Sequence, residues 1–98
     1  MQRQAWILRI KEGKEEEYRA AHEDVWPELI QASLDAGFKN HSVFIHQRTV
    51  VAYLEADDIQ AAEEHLAKRP VLKKWNEAMS ELLEETSTPP LEEIFHFD

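Results

Sequence analysis

The chain has 98 residues, 43% of them hydrophobic, so it is long enough for one core and we expect a single domain over residues 1–98. Its 20 acidic and 11 basic residues give a formal charge of −9, which disfavours binding to nucleic acid or to an anionic membrane surface. The lack of cysteine excludes disulfides and thiolate chemistry, and since no secretory signal or apolar span of about 20 residues is present, we expect a cytoplasmic protein.

The first predicted elements are a strand and a helix that a proline interrupts. Apolar residues at both alternating positions of 4–10 indicate a strand with two apolar faces. The charged, periodic segment 14–36 indicates a helix, which Gly37 ends. Pro27 lacks a backbone donor and disfavours helical geometry in Trp26, so we expect this helix to break into two segments there.

Two β-rich runs follow, at residues 41–47 and 49–56. A tight, polar connection near Arg48 joins them, so we expect an antiparallel hairpin. Asp57 or Asp58 then suits the N-cap of the next helix, because a short acidic side chain accepts a hydrogen bond from a free backbone N–H.

Helices and a final strand complete the predicted elements. Residues 59–68 are helical by composition, and the proline at the start of 70–83 suits the first turn of a further helix. We expect these two helices to form one broken element. A polar turn over 86–90 then leads to a final strand over 91–97, where apolar and aromatic residues are frequent.

The order strand, helix, strand, strand, helix, strand predicts an α+β domain with the ferredoxin-like split βαβ arrangement. In that arrangement the helices cover one face of the sheet, yet the predicted strands carry apolar residues on both faces. An uncovered apolar face usually meets a partner, so we expect two sheets to pack face to face in a homodimer.

Tyr18, His22 and Trp26 lie four residues apart, so on a helix their side chains share one stripe. An imidazole titrates near neutral pH and both gives and takes a proton, a phenol offers a hydroxyl, and an indole offers an apolar plate. This set suits a sugar site. An amphipathic helix face packed on the sheet predicts the same spacing, so spacing alone leaves both interpretations open.

The segment 18–29 reads Tyr, three residues, His, three residues, Trp-Pro-Glu-Leu, and this pattern resembles the signature of the L-rhamnose mutarotase family. The similarity covers nearly the whole chain and includes Trp75 and Met79 in the last helix. It implies a ferredoxin-like fold that forms a dimeric α/β barrel, and a monosaccharide substrate. It also implies that His22 donates a proton and that Tyr18 contacts the sugar.

Two positions depart from better known members of that family. His41 stands where such members carry a tyrosine at the start of the second strand, and Asn76 follows Trp75 where they carry adjacent tryptophans. Aromatic stacking and hydroxyl recognition set specificity in sugar pockets, so all three residues are candidate sugar contacts together with Trp26. These departures widen the expected substrate from L-rhamnose to L-rhamnose or a related 6-deoxy sugar. Trp75 also lies on an apolar helix stripe, which predicts a core position about as well.

The predicted reaction interconverts α and β anomers by opening and reclosing the sugar ring. One acid and one base suffice, so no cofactor is expected. His22 is the predicted acid, and the base is open among Tyr18, His41 and an ordered water. The five histidines show no recognised ligand spacing, so no metal is expected. A small dimeric ferredoxin-like oxygenase and a non-enzymatic dimeric binding module are the alternative functions.

Overall fold

The computed structural model describes residues 1–85 and 89–98. The elements in chain order are β1 (Gln2–Arg9), α1 (Glu15–Glu23), α2 (Pro27–Ala36), β2 (Phe38–His46), β3 (Thr49–Ala56), α3 (Ile59–Ala67) and α4 (Pro70–Ser80). No helix within the described ranges is long and apolar enough to cross a membrane. This order confirms the predicted ferredoxin-like sequence of elements as far as α4. Part of the predicted turn, residues 86–88, lies outside the described residues.

The predicted break between the first two helices is confirmed. α2 begins at Pro27, whose ring suits a first helical turn where no N–H donor is required. Gly37 ends α2 with φ 108°, a left-handed conformation that glycine adopts without steric cost. The break leaves Trp26 between α1 and α2 with 37% of its surface exposed, whereas Tyr18 of the same predicted stripe is buried.

The sheet has three antiparallel strands in the order β1-β3-β2. Along the central strand β3, half-buried and buried residues alternate without interruption. The buried set faces the helices and consists of Val50, Ala52, Leu54 and Ala56. The opposite side of the sheet carries no helix of the described chain, so the helices form one layer and the sheet the other.

β2 begins at Phe38, three residues before its predicted start, and it contains a bulge. Lys39 and Ser42 are three residues apart on β2, but they pair with residues that are two apart on β3. Asn40 occupies this step with φ 52°. A bulge adds one residue to one strand and so shifts the alternation of side chains between the two faces. His41 is thereby turned to the helix-covered face.

Two groups of buried apolar side chains form the core between the sheet and the helices. The larger group lies under α2 and α3 and consists of Leu29, Ala32, Phe38, Leu54, Ala56, Ala62, Leu66 and Val71. The smaller group lies under α1 and the end of α4 and consists of Ile10, Tyr18, Val50, Met79 and Leu82. Trp75 packs against both groups, so this residue joins the two halves of the core.

The prediction of a strand over 91–97 is wrong. The tail, defined here as residues 89–98, does lie beside β1, since the Leu91 N–H donates to the Ala5 oxygen at 2.7 Å. Arg3 of β1 also pairs with Glu93 at 2.6 Å. The tail nevertheless has no strand assignment. A strand gains stability by burying one of its faces, and this tail leaves exposed its largest apolar side chains, Ile94, Phe95 and Phe97.

Candidate active site

Tyr18 and His22 lie one turn apart on the sheet-facing side of α1. Tyr18 is only 4% exposed, and the centroids of the two rings are 4.3 Å apart. The His22 Nδ1 lies 2.9 Å from the backbone oxygen of Tyr18. Because a carbonyl oxygen only accepts hydrogen bonds, Nδ1 carries the hydrogen and donates it. The other ring nitrogen of His22, Nε2, is therefore the one that can exchange protons with a ligand.

A cavity of about 230 Å³ lies beside this pair, and we call it the His22 cavity. Its lining comes from α1 and β2 and consists of Tyr18, Arg19, His22, Glu23, Val43 and Ile45. Pockets for drug-sized ligands measure about 300–1,000 Å³, so this open cavity suits a smaller molecule. One wall offers hydroxyl, guanidinium, imidazole and carboxylate groups, and the other wall is apolar.

The Tyr18 phenol is a hydrogen-bond donor within this cavity. Burial raises the pKa of Tyr18 to about 12, so the phenol keeps its proton at neutral pH. The described residues supply no hydrogen-bond partner to its hydroxyl. The hydroxyl is therefore available to a ligand, and its replacement would leave no other protein group unpaired.

Two tryptophans extend the pair into an aromatic cluster, which consists of Tyr18, His22, Trp26 and Trp75. The Trp75 ring meets His22 edge to face at 5.4 Å and Trp26 edge to face at 5.1 Å between centroids. Such arrangements are favourable because the edge of one ring is positive and the face of the other is negative. The cluster packs on the core at Tyr18 and Trp75 and is more exposed at Trp26, and of its four members Tyr18 and His22 line the His22 cavity.

His41 lies on β2, with its ring centroid 6.4 Å from that of Trp6. The loss of surrounding water and the positive charge of His22 both lower the pKa of His41. The charge of His22 on α1 therefore disfavours protonation of His41 on β2.

The structure places Asn76 away from the aromatic cluster. Asn76 lines a shallow groove of about 530 Å³ together with Ala67, Leu72, Lys73, Glu77 and Ser80. Successive residues of an α-helix point about 100° apart, so Trp75 and its neighbour face different parts of the molecule. The sugar contact predicted for Asn76 stays a prediction.

Four lining residues of the His22 cavity were not identified from the sequence. Arg19 and Glu23 directly follow Tyr18 and His22, and they share the same spacing of four on α1. Because residues four apart lie on the same side of a helix, this spacing could have predicted a charged stripe beside the aromatic stripe. The other two are Val43 and Ile45. The bulge in β2 determines which face of the sheet they take, and the sequence did not predict that bulge. Within 1–85 and 89–98, no three His, Asp or Glu side chains are grouped to hold a metal ion.

The fold and the site define a ferredoxin-like α+β protein with a small, open, aromatic cavity and one imidazole placed for proton exchange. Comparison with known proteins gives the particular family. Residues 3–97 match the family model described as L-rhamnose mutarotase. The L-rhamnose mutarotase of Bacillus subtilis is 32% identical over 105 residues, which cover 100% of both chains. The chain belongs to the L-rhamnose mutarotase family.

Solved structures agree with this assignment. An L-rhamnose mutarotase from Formosa agariphila superposes with a TM-score of 0.84 and 27% identity, and the match covers 100% of both chains. A dimeric ferredoxin-like protein from an uncultured marine organism has a TM-score of 0.66 at 13% identity, covering 98% of this chain and 96% of that one. The second likeness shows the fold alone. Together they confirm the ferredoxin-like fold and the family resemblance read from segment 18–29.

Proposed function

We propose that this chain interconverts the α and β anomers of L-rhamnose or a closely related 6-deoxy sugar, with His22 as the residue that moves the proton. Family membership makes the chain an aldose mutarotase, an isomerase of carbohydrate metabolism. The observation that carries the role of His22 is its hydrogen bond to Tyr18, which leaves Nε2 free at the edge of the His22 cavity.

Ring opening needs two coordinated proton transfers. The His22 imidazolium gives its Nε2 proton to the ring oxygen, while a base removes the proton of the anomeric hydroxyl. The bond between C1 and the ring oxygen then breaks and leaves an open-chain aldehyde. Rotation about C1–C2 exposes the other face of the carbonyl, and the reverse transfers close the ring as the second anomer. Each such transfer typically contributes about 10²–10⁴ in rate, and none requires a cofactor.

The remaining walls of the His22 cavity suit a deoxy sugar. The Tyr18 hydroxyl donates to a sugar oxygen, and the charged heads of Arg19 and Glu23 offer partners for further hydroxyls. Val43 and Ile45 form an apolar wall that suits a methyl group better than a hydroxymethyl group, because a buried hydroxyl without a partner is unfavourable. These contacts support a 6-deoxy sugar as the substrate class.

The assembly is proposed to be a homodimer that joins two sheets at their uncovered faces, which we call the outer face. Ile7, Val51 and Phe44 lie in one row across the three strands of this face. Phe44 on the β2 edge is 62% exposed, and the tail, with further exposed apolar side chains, lies beside β1 at the opposite edge of the sheet. Apolar surface of this extent supports a protein partner, and a second copy would bury it symmetrically. The cytoplasmic location stays a prediction.

The activity is tested by saturation-transfer NMR of anomeric exchange with L-rhamnose, L-fucose and L-mannose. Wild-type protein should accelerate exchange of at least one sugar, and His22→Ala should return the rate to that of buffer. His65→Ala is the matched control, because His65 is exposed on α3, away from the His22 cavity. Unchanged exchange in a folded His22→Ala protein would remove the assigned role of His22. No acceleration by the wild type would remove the proposed activity.

A further inference from the structure

A carboxylate lines the His22 cavity beside the imidazole, and the proposed reaction still lacks a residue for its base. We infer that Glu23 is this base and accepts the proton of the anomeric hydroxyl while His22 protonates the ring oxygen. The inference rests on the proposed mutarotase activity. It gives a catalytic role to a residue for which neither the sequence pattern nor the family resemblance predicted one.

The lining of the His22 cavity offers few groups that can accept a proton. Tyr18 accepts one only as a phenolate, and burial raises the pKa of Tyr18 to about 12. The guanidinium of Arg19 stays protonated, and the wall from β2 is apolar. His22 donates through Nδ1 to the Tyr18 oxygen, and its Nε2 carries the proton for the ring oxygen. Glu23 is the side chain of this lining that remains to act as the base.

The reaction needs its acid and its base close together. The ring oxygen and the anomeric oxygen are bonded to the same sugar carbon, so the two catalytic groups must approach one small region of the substrate. His22 and Glu23 are consecutive residues of α1, with Cα atoms about 3.8 Å apart. Consecutive side chains of a helix point about 100° apart, yet both of these border the same cavity. One sugar can therefore meet the imidazole with one oxygen and the carboxylate with the other.

The carboxylate of Glu23 is free to bind a ligand. Within residues 1–85 and 89–98 it forms no hydrogen bond or ion pair, and the residue is exposed. Arg19, the cationic residue of the lining, pairs instead with Glu16 at 3.9 Å. Glu17 on the same helix is also paired, with Lys14 at 3.2 Å. A sugar hydroxyl can thus donate to Glu23 without first displacing a protein partner.

The position of Glu23 does not stabilise α1. Glu23 is the last residue of this helix, where unpaired backbone carbonyls form the negative end of the helix dipole. A negative side chain is unfavourable there, whereas the acidic residues of the first turn are favourable. Asp24, and not Glu23, takes the C-cap position. Replacing the carboxylate by an amide should therefore not lower stability, so a loss of activity would report on chemistry.

The proton balance closes over one turnover. Opening moves one proton from His22 to the ring oxygen and one proton from the anomeric hydroxyl to Glu23, as the bond between C1 and the ring oxygen breaks. Closing on the other carbonyl face returns the first proton from the sugar hydroxyl to His22 and the second from Glu23 to the new anomeric hydroxyl. Both residues finish as they began, with no oxidant, reductant or co-reactant consumed.

The experiment compares wild type, Glu23→Gln and Glu23→Ala in anomeric exchange with the sugar that the wild type converts. Glutamine keeps the size and hydrogen bonding of the side chain but is not a base, so we expect kcat to fall by about 10²–10⁴ with little change in KM. Glu63→Gln is the matched control, because Glu63 is exposed on α3 and does not line the His22 cavity. Thermal unfolding should show that neither Glu23 variant melts below the wild type.

Sodium formate gives a readout that a structural role would not produce. Glu23→Ala removes the carboxylate from the cavity lining, and formate is a carboxylate small enough to enter the space that is left. The exchange rate of Glu23→Ala should rise with formate concentration, whereas sodium chloride at the same ionic strength should have no effect. Glu23→Gln in the same formate solutions corrects for catalysis by formate in bulk solvent.

Three results would overturn the inference while the proposed function stands. Exchange that His22→Ala abolishes but Glu23→Gln leaves intact would assign the base to water. A raised KM with unchanged kcat would make Glu23 a sugar-binding residue only. A loss of rate in Glu23→Ala that formate does not restore would give Glu23 a positioning role instead. Absence of exchange in the wild type would reject the proposed function itself.

Discussion

The His22 Nδ1–H donates to the backbone oxygen of Tyr18 at 2.9 Å, and the two residues also bring their rings together one turn apart on α1. The acceptor is a main-chain atom, so the bond survives substitution of the Tyr18 side chain. The backbone of Tyr18 orients the His22 imidazole, whereas the side chain of Tyr18 supplies the phenol hydroxyl. A side-chain mutation of Tyr18 therefore removes the hydroxyl without removing this hydrogen bond.

Tyr18→Phe should weaken catalysis while preserving stability. It removes a hydroxyl without a partner among the described residues and keeps the ring that packs in the core. One lost hydrogen bond to substrate is worth about 0.5–1.5 kcal/mol, so kcat/KM should fall by about 2–10-fold. Tyr53→Phe is the control, since the Tyr53 hydroxyl donates to Glu55 on the outer face. Equal kinetics for wild type and Tyr18→Phe would show that the phenol does not contact the sugar.

Trp75→Ala should destabilise the fold more than Trp26→Ala does. Trp75 packs against both core groups, whereas Trp26 is more than one-third exposed and touches the cluster by an edge contact. We expect a loss of about 3 kcal/mol in the free energy of unfolding for Trp75→Ala, and about 1 kcal/mol for Trp26→Ala. Urea unfolding monitored by circular dichroism measures both. The reverse order would contradict the placement of Trp75 at the junction of the core.

Stability should respond to the protonation of His41. The folded state lowers the pKa of His41, so below about pH 6.5 the unfolded chain binds this proton more readily than the folded one. Stability is therefore lost as pH falls through the unfolded pKa toward the folded one, and it is independent of this group at higher pH. Thermal unfolding of wild type and His41→Gln from pH 8 to 5 measures the effect. As pH falls, the melting temperature of the wild type should decrease more steeply than that of His41→Gln. Equal decreases in both proteins would contradict the lowered pKa of His41.

Phe44→Asp should separate the proposed dimer. Phe44 is exposed on the outer face of β2, and two symmetry-related aspartates would bring like charges together there. Light scattering after size-exclusion chromatography should give twice the mass of one chain for the wild type and a single mass for the variant. Leu34→Asp is the control, since Leu34 is similarly exposed on α2, away from the sheet. A monomeric wild type would refute the dimer.

Much of the local structure was predictable because it depends on neighbouring residues. Pro27 cannot continue a helix, Gly37 adopts the left-handed conformation that ends one, and Asp58 accepts the Ala61 N–H at 3.1 Å as an N-cap. Each of these effects acts over only a few residues. The strand of β3 was equally clear, since its alternation follows from burial of one face against the helices.

The wrong prediction of a strand in the tail has a different cause. The tail was predicted as a strand from its composition, but a strand also requires a surface that buries one of its faces, and the described chain leaves Phe95 and Phe97 exposed.

The sequence by itself determined the helix break, the hairpin, the two-sided strands and the stripe of Tyr18 and His22, because all of these follow from short-range sterics and periodicity. Only the tertiary structure decided that the Asn40 bulge turns His41 to the helix-covered face of the sheet, and that α1 and β2 line one cavity. The physical reason is that a side-chain direction on a bulged strand, and a space between two elements distant in sequence, depend on the packing of the whole chain.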